Sequence, residues 1–123
     1  MHFTLSAWDG EDYLLVAASG DAQLCHLCRV ADLSARICEA KGYRRALVDL
    51  LAVTPHLSFT DHLQLGAHFA TALAHLDQVA TVVAANQRTG TSEKAAQKHG
   101  LKLRTLTELL EAKRWLEASI DVA

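Results

Sequence analysis

Gly42-Tyr43-Arg44-Arg45-Ala46-Leu47-Val48-Asp49-Leu50-Leu51 is the stretch that decides the fold. From Ala46 to Leu51 it is apolar except at Asp49, the pattern of a strand covered on both faces by helices. Gly42, ahead of it, suits the C′ position that closes a helix. Upstream, Ala22 to about Lys41 has the helical period. At 100° per residue Leu24, Leu27, Cys28, Ala31, Ala35 and Cys38 share one face, with Val30 and Ile37 at its border and Cys25, Arg29, Asp32, Arg36 and Glu39 opposite. A helix that returns the chain to a parallel strand makes a right-handed crossover.

Toward the N-terminus, His2 to Trp8 alternates with Phe3, Leu5 and Ala7 on one side, as a half-buried edge strand does. Asp9-Gly10-Glu11-Asp12 reads as a turn and Tyr13 to Ala18 as a second strand, so the short connection predicts an antiparallel hairpin. Ser19-Gly20-Asp21 is expected to end that strand, with Asp21 capping the helix. Toward the C-terminus, a loop Ala52-Val53-Thr54-Pro55-His56-Leu57 leads to Ser58-Phe59-Thr60-Asp61, a capping-box pattern that opens a helix running to about Asp77. Val79 to Ala85 reads as a buried strand and Asn86-Gln87-Arg88-Thr89-Gly90 as its polar exit loop. A short helix from about Ser92 to His99, a strand Leu101 to Arg104, and a last helix capped by Thr107 and running through Leu116 complete the chain. The expected order is β-β-α-β-α-β-α-β-α. That is an α/β fold, one domain over residues 1–123, with a mixed sheet whose N-terminal hairpin is antiparallel and whose remaining strands are parallel.

The composition agrees with a self-sufficient domain. The 123 residues are 50% apolar and 21% charged, and a chain of this length buries about two-thirds of its unfolded surface. A net charge of −2 lacks the basic footprint of a nucleic-acid binder. No apolar run approaches the ~20 residues of a membrane span, and the N-terminus has no signal-peptide pattern. Three cysteines form no disulfide framework. A cytoplasmic protein is expected.

Cys25-His26-Leu27-Cys28 has the spacing of a redox dithiol or half a zinc site. With Asp21 as cap, Cys25 falls a full turn inside the helix, away from the amides that lower a thiol pKa, and no second ligand pair follows. Packing is therefore the expected role of the cysteines, and no metal is expected. His62, His68 and His75 lie in the second helix. His68 and His75 share its polar face with Gln64 and Thr71 and read as solvated. His62 falls in the apolar stripe near Gly66, Phe69 and Leu73, in a first turn whose free amides favour an anion. Asp49 interrupts its apolar strand and is expected to point toward the carboxyl end of the sheet or to find hydrogen-bond partners, because a lone buried carboxylate is costly. No nucleophile elbow, dinucleotide fingerprint or P-loop is present, and Asp61 and His62 point about 100° apart on their helix. These absences argue against an enzyme and against a cofactor.

The element order and the Gly42 to Leu50 stretch resemble the STAS domain of anti-sigma factor antagonists and sulfate transporters. Ser92-Glu93-Lys94-Ala95-Ala96-Gln97-Lys98-His99-Gly100-Leu101 and the closing Glu111-Ala112-Lys113-Arg114-Trp115-Leu116 look like its SpoIIAA-like branch, also described as STAS/SEC14-like. Phospho-switched antagonists carry Asp-Ser-Ser-Gly-Leu at the start of the second helix; this chain reads Asp61-His62-Leu63-Gln64-Leu65, with Leu63 in place of the phosphorylated serine. The resemblance implies a non-catalytic regulatory module binding a protein partner or a small ligand, with no phosphoserine at that position. Ligands sit beyond the carboxyl ends of parallel strands, which points to Thr54, His56, Ser58, Thr60, Asp61, His62, Asn86 and Arg88. The alternatives are a carrier or sensor of a small apolar or anionic ligand, lipid-like in view of the SEC14 kinship, and a redox or metal module on Cys25 and Cys28. Broad apolar stripes on the first two helices leave a homodimer open.

Overall fold

Of the face expected on the first strand, Phe3 and Leu5 are partly buried and Ala7 is exposed, as befits the edge of the sheet. The computed structural model describes residues 3–10, 12–87 and 90–120. β1 (Thr4–Asp9) and β2 (Leu14–Ala22) form the hairpin, α1 (Leu24–Lys41) crosses to β3 (Arg45–Pro55), and α2 (Phe59–Ala72) leads to β4 (Gln78–Val82). A single 3-10 turn (Ala85–Gln87) precedes α3 (Thr91–Lys98), β5 (Leu103–Leu106) and α4 (Leu109–Ile120). Among the described residues the sheet order is β1-β2-β3-β4-β5, with β1 antiparallel to β2 and the other pairs parallel. The α/β order inferred from the chain is the observed one. His2, Glu11, Arg88 and Thr89 lie outside the described residues.

Each face of the sheet has its own core. Leu14, Val16, Ala18 and Ala22 of β2 point toward the layer formed by α1, α2 and α3, where they meet Leu27, Val30, Ala31, Leu65, Phe69 and Ala96. The intervening positions face α4, whose Ala112 and Leu116 pack on Leu47, Ala80, Val82 and Leu106. The inward stripe of α1 centres on Leu27, Val30, Ala31, Ser34 and Cys38, with Cys28 and Ala35 only half-buried. This is a small rotation from the expected wheel. Ser34 is tolerated there because its hydroxyl donates to the Val30 carbonyl at 2.7 Å.

Element ends differ from expectation where strand pairing overrides local signals. β2 continues through Ser19, Gly20 and Asp21 because these residues pair with Ala52, Val53 and Thr54 of β3. The segment expected as the loop Ala52 to Leu57 is strand as far as Pro55, and Thr54 stands opposite Asp21. Pro55 fits at the strand end, beyond the last β4 partner, where its missing N–H leaves no ladder bond unmade. The α1 cap is consequently Gln23 rather than Asp21, and the Gln23 amide donates to His26 Nδ1 at 2.9 Å. Gly42, at φ 78°, closes α1 in the left-handed conformation, with the Tyr43 amide bonded to the Cys38 carbonyl. α2 ends at Ala72, short of Asp77; β4 stops at Val82; β5 falls two residues later than expected; and α4 starts beyond Glu108, so Thr107 is not its cap. Asp49 satisfies its carboxylate locally. Where the β2–β3 register shifts by one residue, its Oδ1 accepts the Leu51 amide at 3.0 Å.

The end of β1 is tied to the α1–β3 junction. Asp9 accepts Lys41 Nζ at 2.9 and 3.0 Å and the Tyr43 hydroxyl at 2.9 Å. The Lys41 hydrogen bond, then that of Tyr43, holds the Asp9 carboxyl below its ordinary 3.8. A depressed folded value means the contribution is present above the unfolded value and is lost as pH falls through the folded one. Urea midpoints of wild type and Asp9→Asn should therefore differ at pH 7 and converge as pH falls below about 4. The group is solvent-exposed, so the gap at pH 7 is small. A gap that persists unchanged at pH 2 would contradict the clip.

Candidate functional site

β3 runs past the end of β4, and that overhang makes a pocket. β4 pairs with β3 only as far as Val82 opposite Asp49, whereas β3 continues six residues further beside β2. Below the step, Thr81 and Val83 at the carboxyl end of β4 and Leu103 and Thr105 of β5 form the floor. Leu50, Val53, Pro55 and Leu57 form one wall, and Leu27, Leu65, Gly66 and Phe69 of α1 and α2 roof the pocket. Gln87, Gly90, Ser92 and Glu93 also line it. The volume of this half-open pocket is about 90 Å³. A single water needs roughly 10–15 Å³ of such space, so about six to nine water-sized groups fit.

The polar groups are few and tied to one another. His62 Nδ1 lies 3.0 Å from Ser92 Oγ, linking α2 to α3 across the pocket. Thr81 and Thr105 share a hydroxyl hydrogen bond of 2.8 Å, and Glu93 Oε2 accepts the Thr105 amide at 2.6 Å. The rest of the lining is mainly aliphatic, the pattern of a small-molecule site in which a few polar groups orient the ligand.

Of the residues singled out in the sequence, His62 lines this pocket. Ser58 and Asp61 form the capping box, with Asp61 N to Ser58 Oγ at 3.1 Å and Ser58 N to Asp61 Oδ2 at 3.0 Å, and Thr60 Oγ1 lies 3.1 Å from Ser58 Oγ. Thr54 sits between the pocket residues Val53 and Pro55, so strand alternation turns it to the opposite face. His56 pairs instead with Asp21, Nε2 to Oδ1 3.1 Å, at the surface. Asn86 is exposed in the 3-10 turn, while its neighbour Gln87 lines the pocket. Arg88 lies outside the described residues. Sequence reasoning missed Thr81, Ser92, Glu93 and Thr105. Only Thr81 carries a sequence signal, as a hydroxyl breaking the apolar run Val79 to Ala85.

Two other expectations change. His68 is not merely solvated: its Nε2 lies 2.8 Å from Asp32 Oδ1, joining α2 to α1. Cys25 is exposed at the second position of α1, not a turn inside, because the helix begins two residues later than expected. Burial, followed by Asp32 and Cys25, pushes the Cys28 thiol up, and burial pushes Cys38 up to about 11. Both thiols are held in the less nucleophilic protonated form. Among the described residues, no group of three or more His, Cys, Asp or Glu side chains is arranged to hold a metal, and no helix is long and apolar enough to cross a membrane.

Two solved structures share this architecture along almost the whole chain. An anti-sigma factor antagonist from Mycobacterium paratuberculosis superposes with a TM-score of 0.65 at 14% identity, covering 94% of this chain and 95% of that one. A protein of the DUF3478 family with a SpoIIAA-like fold, from Shewanella loihica PV-4, gives 0.55 at 18% identity and 93% of each chain. The chain has the SpoIIAA-like fold. No family model and no curated protein matches the sequence. Within the SpoIIAA-like fold the pocket lies at the carboxyl ends of the parallel strands, beside the start of α2, where ligands of open α/β sheets are generally found.

Proposed function

We propose that this domain is a non-catalytic, cytoplasmic regulatory module of the STAS type that binds a small, mainly apolar ligand in the β3–α2–α3 pocket. The single observation that carries the reading is that pocket: aliphatic walls with His62 and Ser92 hydrogen-bonded across one side. Its volume suits a compact molecule or the tip of a chain rather than a whole lipid. A phosphoserine switch does not enter, because Leu63 occupies the position of the acceptor in the resemblance.

A protein partner is the second element of the reading. Phe59 and Leu63, four residues apart in the first turns of α2, are 67% and 41% exposed and flank the pocket residue His62. The structural relative described as an anti-sigma factor antagonist makes contact with another protein the natural output. Ligand binding at His62 and partner binding at Phe59 and Leu63 would then share one helix end.

Native mass spectrometry of the protein purified from its own host tests the ligand half. One retained small molecule is expected, and His62→Ala should remain folded while weakening retention about tenfold, the worth of one hydrogen bond of about 1.4 kcal/mol. A bare chain mass from both proteins would sink it.

A further inference from the structure

We infer that Cys25 and Cys28 form a redox modification site, in which Cys25 exchanges with a low-molecular-weight disulfide and Cys28 resolves the product into an intrachain disulfide. This chemistry does not depend on a pocket ligand. With Asp21 as the cap, both cysteines would lie at least a turn inside α1; with Gln23 as the cap, they straddle its first turn. Cys25 occupies the second helical position and is exposed, and Cys28 follows three residues later, half-buried against the larger core.

Residues three apart in a helix have Cβ atoms about 5–6 Å apart, and a disulfide needs about 3.5–4.5 Å, so closure takes a movement of about 1–2 Å. The start of α1 can supply it. The first α-helical hydrogen bond there runs from the Leu27 amide to the Gln23 carbonyl at 3.3 Å, and the Cys25 amide lies ahead of that donor. Cys38 is ten residues beyond Cys28, about 15 Å along the helix axis, and is out of reach.

Exposure assigns the roles. Cys25 faces solvent, whereas burial, ahead of Asp32 and Cys25, pushes the Cys28 thiol up and keeps it protonated until a neighbouring disulfide offers it a target. Cys25 Sγ, as thiolate, attacks one sulfur of the small disulfide; a mixed disulfide forms, the original S–S bond breaks, and one small thiolate leaves. Cys28 then gives its proton to water, its Sγ attacks Cys25 Sγ, and the second small thiolate departs; both released thiolates take up protons. Two protein thiols are oxidised to one disulfide, and one small disulfide is reduced to two thiols.

The test treats the folded full chain with oxidised glutathione at pH 8, where an accessible thiol is partly ionised, then quenches with acid and maps tryptic peptides without reduction. Both cysteines fall in the peptide ending at Arg29, and Cys38 falls in another. The wild-type peptide should lack two hydrogens and carry no glutathione. Cys28→Ser should hold one glutathione on Cys25, with at least about tenfold more mixed disulfide than wild type. Cys25→Ser, at an exposed position, should form the adduct on Cys28 at least about tenfold more slowly than Cys25 reacts. The wild-type map decides the question even if Cys28→Ser fails to fold. A glutathione adduct that persists on wild-type Cys25, a disulfide to Cys38 or to a second chain, or an unreacted Cys25 overturns the inference.

Discussion

Gly66→Ala is expected to destabilise the domain by about 2 kcal/mol, against the direction that helix propensity alone dictates. In an uncrowded helix interior, alanine gains roughly 0.5–1 kcal/mol over glycine. At Gly66 an added Cβ would lie 2.4 Å from the Ser92 carbonyl oxygen, 2.6 Å from Ala95 Cβ and 3.0 Å from Ala96 N. Two of these are backbone atoms of α3, so no rotamer change relieves the contact. α2 and α3 must part, and overpacking of this kind typically costs about 1–3 kcal/mol, sometimes more. Separation also pulls Ser92 from His62 and opens the pocket. Urea unfolding followed by circular dichroism should show the lower midpoint, with a melting temperature down by roughly 8 °C. A raised midpoint would show that the helices do not meet at this glycine.

Leu116→Ala should cost more, about 3 kcal/mol, within the roughly 2–5 kcal/mol seen for leucine truncation in cores. Leu116 is fully buried where α4 meets the sheet. Its neighbours in that small core include Ala80, Ala112 and Val82, short side chains that cannot collapse into the space it leaves. The neighbouring core beneath α1, α2 and α3 is larger and is not breached. Leu110 in the same helix is 57% exposed, and Leu110→Ala should change stability by less than about 0.5 kcal/mol. Equal losses in the two variants would mean that α4 docks on a different stripe.

The fold was legible because its determinants are local and periodic. The Ser58 capping box, the Gly42 helix end and the helical period of α1 each state their geometry within a few residues. Errors gather at Ser19 to Asp21 and Ala52 to Pro55, where residues with turn chemistry extend two strands because they pair with one another across about thirty positions. The misplaced cap at Asp21 then set Cys25 two residues too deep in the helix. The site was less legible for the same reason. His62 is conspicuous as a histidine in an apolar stripe, whereas Ser92 and Glu93 look like any polar helix start until the fold sets them against His62 and Thr105.

The sequence by itself determined the element order, the mixed sheet and the inward stripes of the first two helices, because hydrophobic periodicity and caps act between near neighbours. The tertiary structure alone decided how far β3 outlasts β4, and therefore that a pocket exists and that an acid stands in its wall. Strand length and side-chain company are settled by ladder pairing and helix packing between distant segments, and no local pattern encodes them.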